Sequence, residues 1–326
     1  MATDPIWDVL FLLLPNTLIL DWAGPAEALR MANQAMLQQG KAAPFRLRFV
    51  SPLPETVSSV GVTIGGLEPL PSALERPSWV VLLGQPGQCI AVDGAAPQAA
   101  LRWLKTLKPK SGELELLTVC AGAVLAAHAG LLSGRRATTH HQHLAELQSV
   151  APTCQVVSNR VFVEDAPVFS SAGVTTGVDL VLHRISQVCG PALAAQVSQT
   201  MVVAMRRGPQ DPELSPFLAH RNHLHPALHR VQDTVSRAPA QEWDLATMSA
   251  IAHTSPRHLT RLFAEHTDVA PLAYLRQIRL AVAQQALRSG RNVTQAAEMA
   301  GFTSDTQLRR AWRQFGPEGT PSQTMN

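Results

Sequence analysis

Along the first two hundred or so residues, short apolar runs alternate with amphipathic stretches, the pattern of strands and helices wound into a mainly parallel sheet. Strands are predicted at WDVLFLLL (7–14), FRLRFVS (45–51), WVVLLG (79–84) and ELELLTV (113–119), with a later pair near QVVSN and PVFSSAG. Helices are predicted over GPAEALRMANQAML, PQAALRWLKTL, AGAVLAAHAGLL, VTTGVDLVLHRISQVC and PALAAQVSQTMVVAM. These elements predict an α/β domain over residues 1–205, a flavodoxin-like three-layer sandwich. Residues 206–226, RRGPQDPELSPFLAHRNHLHP, hold neither period and read as a linker. From residue 227 to residue 326 the pattern is helical and predicts an all-α domain.

That last region contains a repeat. SPRHLTRLF (255–263) and SDTQLRRAW (304–312) align at an offset of 49, each opening on a Ser suited to cap a helix. Short Ala-rich stretches, LATMSAIA and VTQAAEMA, precede them, and Gly301-Phe302-Thr303 makes the second turn. This is a helix-turn-helix written twice. Leu259, Leu262 and Phe263, and then Leu308, Ala311, Trp312 and Phe315, fall at the spacing of a buried face. The other faces supply the DNA-binding candidates: Arg257, His258, Thr260 and Arg261 in the first, and Asp305, Thr306, Gln307, Arg309, Arg310 and Arg313 in the second. Arg and Gln suit base edges; the others suit phosphate or water.

Charge sharpens this picture only when it is divided along the chain. The net charge is +3, but residues 206–326 carry 14 basic against 10 acidic residues, and all fourteen are Arg. An Arg-only basic segment points to nucleic acid, because the guanidinium fork matches phosphates and guanine edges. The apolar start VLFLLLPNTLIL follows Asp4 and Asp8, lacks a basic leader and is broken by Pro15-Asn16. A buried strand, no membrane association and a cytoplasmic protein are therefore expected.

The four cysteines, Cys89, Cys120, Cys154 and Cys189, show no C-x-x-C spacing, so no metal site or disulfide framework is expected. His223, His225 and His229 read as solvated linker residues. No cofactor is expected. Cys120 stands out, since a strand ending at Val119 and a helix following Ala121-Gly122 make the context of a nucleophile elbow. The helix start should favour thiolate there. Catalysis also needs a partner. Asp21 and Glu27 from LDWAGPAEALRMAN, and His140, His141 and His143, are the candidates. Cys120 is read as structural, pocket-lining or, with Asp21, catalytic; Asp21 is also a candidate cap for a helix starting near Gly24. The pocket candidates are Asp21, Gly24, Cys120, Ala121, Gly122, Ser171, Ala172 and Gly173.

Two resemblances follow. SPRHLTRLF, APLAYLRQIRLAVAQQAL (270–287) and VTQAAEMAGFTSDTQLRRAWRQFG (293–316) resemble the C-terminal domain of AraC/XylS transcription regulators, in which two helix-turn-helix units joined by a long helix enter successive major grooves. The chain has Asp268-Val269-Ala270-Pro271 where that family usually has Gly then Ser-Pro, and its end, FGPEGTPSQTMN, lacks the family's Tyr-Arg pair. LDWAGPAEALRMAN, VCAGAVLAAHAGLLSGRRATTHH and VFSSAGVTTGVDLVLHRI resemble the ThiJ/PfpI, class I glutamine amidotransferase-like fold. Enzymes of that fold often place His directly after the elbow Cys, where this chain has Ala121; a hydratase branch pairs the Cys with an Asp of an LD-x-x-GP motif. Together the two domains resemble the GlxA-type regulators. That resemblance implies a sensor and dimerisation domain for a small nitrogenous metabolite such as arginine, betaine or carnitine. It further implies a homodimer on double-stranded DNA, RNA polymerase as partner of an activator, and no enzyme; a cysteine-dependent hydratase or amidase with an appended DNA-binding module is the alternative.

Overall fold

The computed structural model describes residues 7–203, 207–317 and 319–325, and they fall into two compact units that meet in sequence at Glu213 and Leu214. In the first unit the strands and helices alternate. In order they are β1 (Trp7–Leu12), α1 (Ile19–Gln38), β2 (Phe45–Val50), β3 (Glu55–Val57), β4 (Thr63–Gly65), β5 (Ser78–Leu82), α2 (Ala95–Leu104), β6 (Leu114–Val119) and α3 (Gly122–His128). There follow β7 (Arg136–Ala137), α4 (Leu144–Val150), β8 (Gln155–Val156), β9 (Phe162–Asp165), β10 (Val168–Ser171), α5 (Thr176–Cys189) and α6 (Pro191–Thr200).

The main sheet runs β2-β1-β5-β6-β10-β9, parallel except for β9, which pairs antiparallel with β10. Its five parallel strands taken in chain order lie 2-1-3-4-5, the flavodoxin-like arrangement. Every residue of β1 and β5 is buried, as their largely apolar runs require of strands covered on both faces, and the two polar exceptions are partnered, Asp8 by Arg46 and Ser78 by the Arg76 carbonyl. Helices α1, α5 and α6 pack together on one side, and α2, α3 and α4 form the other group.

Of the boundaries that differ from the sequence reading, two bear on the site and the domain division. Helix α1 begins at Ile19, a turn before Gly24, and carries Pro25 in its interior. The predicted linker is not a free tether where it is described. The Arg207 guanidinium pairs with Asp179 at 2.6 Å, and the Val161 N–H donates to the Asp211 carbonyl at 2.9 Å, which docks residues 207–213 on the first unit. Residues 216–226 belong to the second unit, where His220 Nε2 lies 2.8 Å from Gln277 Oε1. The expected boundary between residues 205 and 206 lies outside the described residues.

The second unit is helical: α7 (Pro216–Ala219), α8 (Pro226–Arg237), α9 (Leu245–Ala252), α10 (Pro256–Thr267), α11 (Pro271–Arg288), α12 (Val293–Met299) and α13 (Asp305–Phe315). It has two small cores. Leu228, Met248, Leu259, Phe263, Tyr274 and Ile278 fill the first; Leu280, Ala283, Ala296, Leu308, Ala311 and Trp312 fill the second. Helix α11 contributes to both. The caps are those the sequence announces: Ser255 Oγ accepts from His258 N, Ser304 Oγ accepts from Gln307 N, and Asn292 with Gln295 closes a capping box. Asp268, in the place of the usual glycine, adopts a left-handed φ of 56°, a conformation that Asp tolerates better than most side chains.

Candidate functional site

The carboxyl ends of β1, β5, β6 and β10 lie side by side, and the residues just beyond them meet around Cys120. Cys120 has a φ of 57°, the left-handed geometry of an elbow, and is 3% exposed. Its N–H donates to the Ser171 carbonyl at 3.1 Å, and the Thr139 hydroxyl donates to its carbonyl at 2.9 Å. Asp21, fully buried in the first turn of α1, stands beside the Cys120 side chain: a Cβ placed on Gly84 would lie 2.7 Å from Asp21 Oδ2 and 2.9 Å from Cys120 Sγ. The two Asp21 oxygens take the N–H groups of Gly84 and Val174, each at 2.9 Å. One carboxylate thus ties together the segments that follow β1, β5, β6 and β10.

Glycines make this approach possible. A Cβ on Gly173, where φ is 97°, would lie 2.3 Å from Cys120 Cβ; one on Gly84 would lie 2.7 Å from both Asp21 Oδ2 and Cys120 Cβ. Val174, β-branched yet at φ 52°, sits in a backbone conformation that such residues rarely adopt.

The electrostatics reverse one expectation. Burial, then the Asp21 carboxylate, push the Cys120 thiol well above the ordinary range. The field of the helix start does not compensate: α3 is seven residues long, and the thiol is shut away from water. Burial likewise raises Asp21 to about 6, against the opposing effect of its two N–H donors and the thiol. His140 is lowered to about 4 by burial and by His141 and His143.

The other sequence candidates are placed as follows. Gly24 serves packing, since a Cβ there would meet Val178 Cγ2 of α5 at 2.7 Å, and Gly122 lies against the Leu82 carbonyl. Asp21 caps no helix here, because α1 has already begun. Glu27 faces outward and pairs with Arg30 at 2.7 Å. Ala121 is buried beside Cys120, Ser171 is held through its carbonyl, and the Ala172 N–H donates to Val161. His143 is buried against Glu146 at 2.6 Å, and His141 pairs with Glu213 at 2.9 Å. Among the described residues no imidazole hydrogen-bonds Cys120. Gly84, Val174 and Glu213 escaped the sequence reading; only the strand end at Gly84 carried a local signal.

In the second unit Arg257, His258, Thr260 and Arg261 are exposed on α10, and Thr306, Gln307, Arg309, Arg310 and Arg313 are exposed on α13. Leu259, Leu262, Phe263, Leu308, Ala311 and Trp312 are buried as their spacing predicts, and Phe315 is half-buried. The two faces of each recognition helix are therefore segregated. The His223 and His229 rings lie 4.5 Å apart, tilted at 36°, but among the described residues His223, His225 and His229 do not converge as a ligand set.

Comparison with known proteins agrees with both halves. A DJ-1/PfpI family model matches residues 73–187, and a helix-turn-helix domain model matches residues 248–325. The HTH-type transcriptional regulator CdhR of Pseudomonas aeruginosa is 30% identical over 94% of this chain and 88% of its own length. The protein belongs to the helix-turn-helix transcriptional regulators that carry a DJ-1/PfpI domain. The regulator GlxA of Rhizobium meliloti, 29% identical over 94% of this chain and 91% of its own, has the same extent. Among solved structures, a ThiJ/PfpI family protein from Pseudomonas syringae shares the fold, with a TM-score of 0.52 at 18% identity over 75% of this chain and 90% of that one. An AraC family transcriptional regulator from Pseudomonas putida aligns over 60% of this chain and 99% of its own, with a TM-score of 0.50 at 19% identity. As a member of this family the chain is a DNA-binding transcription regulator. Among the described residues no helix is long and apolar enough to cross a membrane.

Proposed function

We propose that this regulator is governed by a small nitrogenous metabolite bound at the Cys120 crevice, and that α10 and α13 read successive major grooves of its operator. The observation that carries the proposal is the segregation within each recognition helix, apolar face buried and Arg-rich face exposed. The crevice supports the effector half: ligands of open α/β sheets bind beyond the carboxyl ends of the strands, where Cys120, Asp21 and Gly173 meet. The protein acts in the cytoplasm as a homodimer, touching RNA polymerase where it activates.

Hydratase or amidase chemistry is the weaker reading. A thiol kept protonated by burial and by the neighbouring Asp21 carboxylate, with no imidazole hydrogen-bonded to it among the described residues, is a poor nucleophile at neutral pH. Footprinting on the DNA flanking its own gene tests the DNA half: two protected blocks about 10 bp apart are expected, and uniform protection that salt abolishes counts against it. A thermal-shift screen of amino acids, betaines and polyamines tests the effector half. A hit whose shift persists in Gly173→Ala removes the crevice from the proposal.

A further inference from the structure

Two imidazoles and a carboxylate converge beside the Cys120 crevice, where no metal ligand is expected from the sequence. Thr139, whose hydroxyl holds the Cys120 carbonyl, is followed by His140 and His141. The chain turns there, His140 preceding a short 3-10 turn that His141 opens, so successive side chains fall on one side with ring centroids 4.1 Å apart. Glu213 arrives from 72 residues away.

We propose that His140, His141 and Glu213 form a binding site for a divalent first-row transition cation. One nitrogen of each imidazole and one oxygen of the carboxylate all lie within 4.8 Å of one another. Bonds of zinc length bring tetrahedral ligand atoms to about 3.3 Å apart, a closure that side-chain rotation supplies. Two imidazoles with one carboxylate suit zinc and its neighbours over calcium or magnesium, and leave coordination positions open to water or a small ligand.

Two details favour a ligand here over a chance surface grouping. The Glu213 side chain is only 7% exposed, and its two hydrogen bonds, from the His141 N–H and from ring Nδ1, both fall on Oε1. Neither ring nitrogen of His140 has a hydrogen-bond partner among the described residues. The His141 Nδ1 to Glu213 Oε1 contact, 2.9 Å long, is where a cation would replace a shared proton. Glu213 is also the last residue of the first unit. An ion there fastens the 207–213 segment at the point where the chain leaves that unit for the DNA-binding helices. None of this depends on the effector.

The test uses the full chain, stripped with a chelator and titrated with cobalt(II) chloride and then zinc chloride. One equivalent of cobalt should produce visible d–d bands that zinc bleaches. His140→Gln and Glu213→Gln should each weaken zinc binding by at least about tenfold, with far-ultraviolet circular dichroism unchanged, whereas His229→Gln should leave it as it was. The site is refuted if the native chain takes up no cobalt, if both first variants retain native affinity, or if His229→Gln removes the binding. Footprinting of the metal-free chain scores the regulator reading separately.

Discussion

Asp21 and Cys120 stand side by side, one carboxylate oxygen and the thiol sulfur both facing Gly84, while both side chains lie out of water. The pair therefore looks inward: the carboxylate serves as a clamp among loops, and the cysteine is kept protonated by burial first and then by the charge of the group that could have been its catalytic partner. Several expectations depend on that arrangement.

The clamp should make stability depend on pH in an unusual direction. Asp21 is raised from 3.8 to about 6 in the folded protein, so folding favours its protonated form. Its contribution is fully present below pH 3.8 and is lost as pH rises through about 6. In chemical denaturation the stability gap between the native chain and Asp21→Asn should widen from pH 7 to pH 4, by up to about 3 kcal/mol. A gap that stays constant over that range would show that burial does not control this carboxyl.

Cys120 should be unreactive. In a thiol-labelling time course at pH 7.5 the exposed Cys89 should modify first, with Cys120 at least about tenfold slower until denaturant is added. Preferential labelling of Cys120 in the folded protein would revive a nucleophilic role. Cys120→Ser should retain operator binding.

Close packing around the elbow predicts a sharp contrast between two glycines. Gly173→Ala adds a Cβ only 2.3 Å from Cys120 Cβ at a φ of 97°, whereas Gly130, at φ 78°, has nothing within 4 Å of the new atom. Gly130→Ala should cost the left-handed strain alone, about 1–2 kcal/mol, and Gly173→Ala a further 1–3 or so kcal/mol of overpacking. Equal losses in urea melts would mean that the segment after β10 yields freely.

On the DNA side, the exposed Arg residues should divide by salt dependence. Replacing one that holds phosphate, the expectation for Arg313→Ala because Arg313 lies in the last turn of α13, away from the helix start that meets base edges, should weaken all sequences alike and lower the slope of log affinity against log salt by about one. Replacing one that reads a base, the expectation for Gln307→Ala or Arg261→Ala, should cost about 1–3 kcal/mol on the operator and leave the slope unchanged. Fluorescence anisotropy across a salt series checks both. Native affinity in all three variants would move the interface off these helices.

Much of this fold is legible in the sequence, and what is not has a physical reason. The long apolar strands and the repeated Ser-capped helices announce themselves, because their periodicity extends over many residues. The hairpin of β3 and β4 did not, since strands of three residues are too short to show alternation. The strand-turn-helix context points to Cys120, but not to its protonated state. Helix-start polarity is a local property, whereas desolvation and the Asp21 charge come from the packed fold. His140 and His141 were visible as a pair; Glu213 could not be joined to them, because only the path of residues 207–213 across the first unit brings it there.

Helix α11 contributes Tyr274 and Ile278 to one small core and Leu280 and Ala283 to the other. Its 18 residues make a rod about 27 Å long. Because each half of the rod is locked into its own core, it works as a gauge block: it fixes both the separation and the angular phase of α10 and α13, the two proposed reading heads. One inserted residue would turn one head by about 100° relative to the other. A duplex whose two contact blocks are out of phase must therefore bend or untwist to be bound, and the selectivity of the pair includes the stiffness of the base pairs between them.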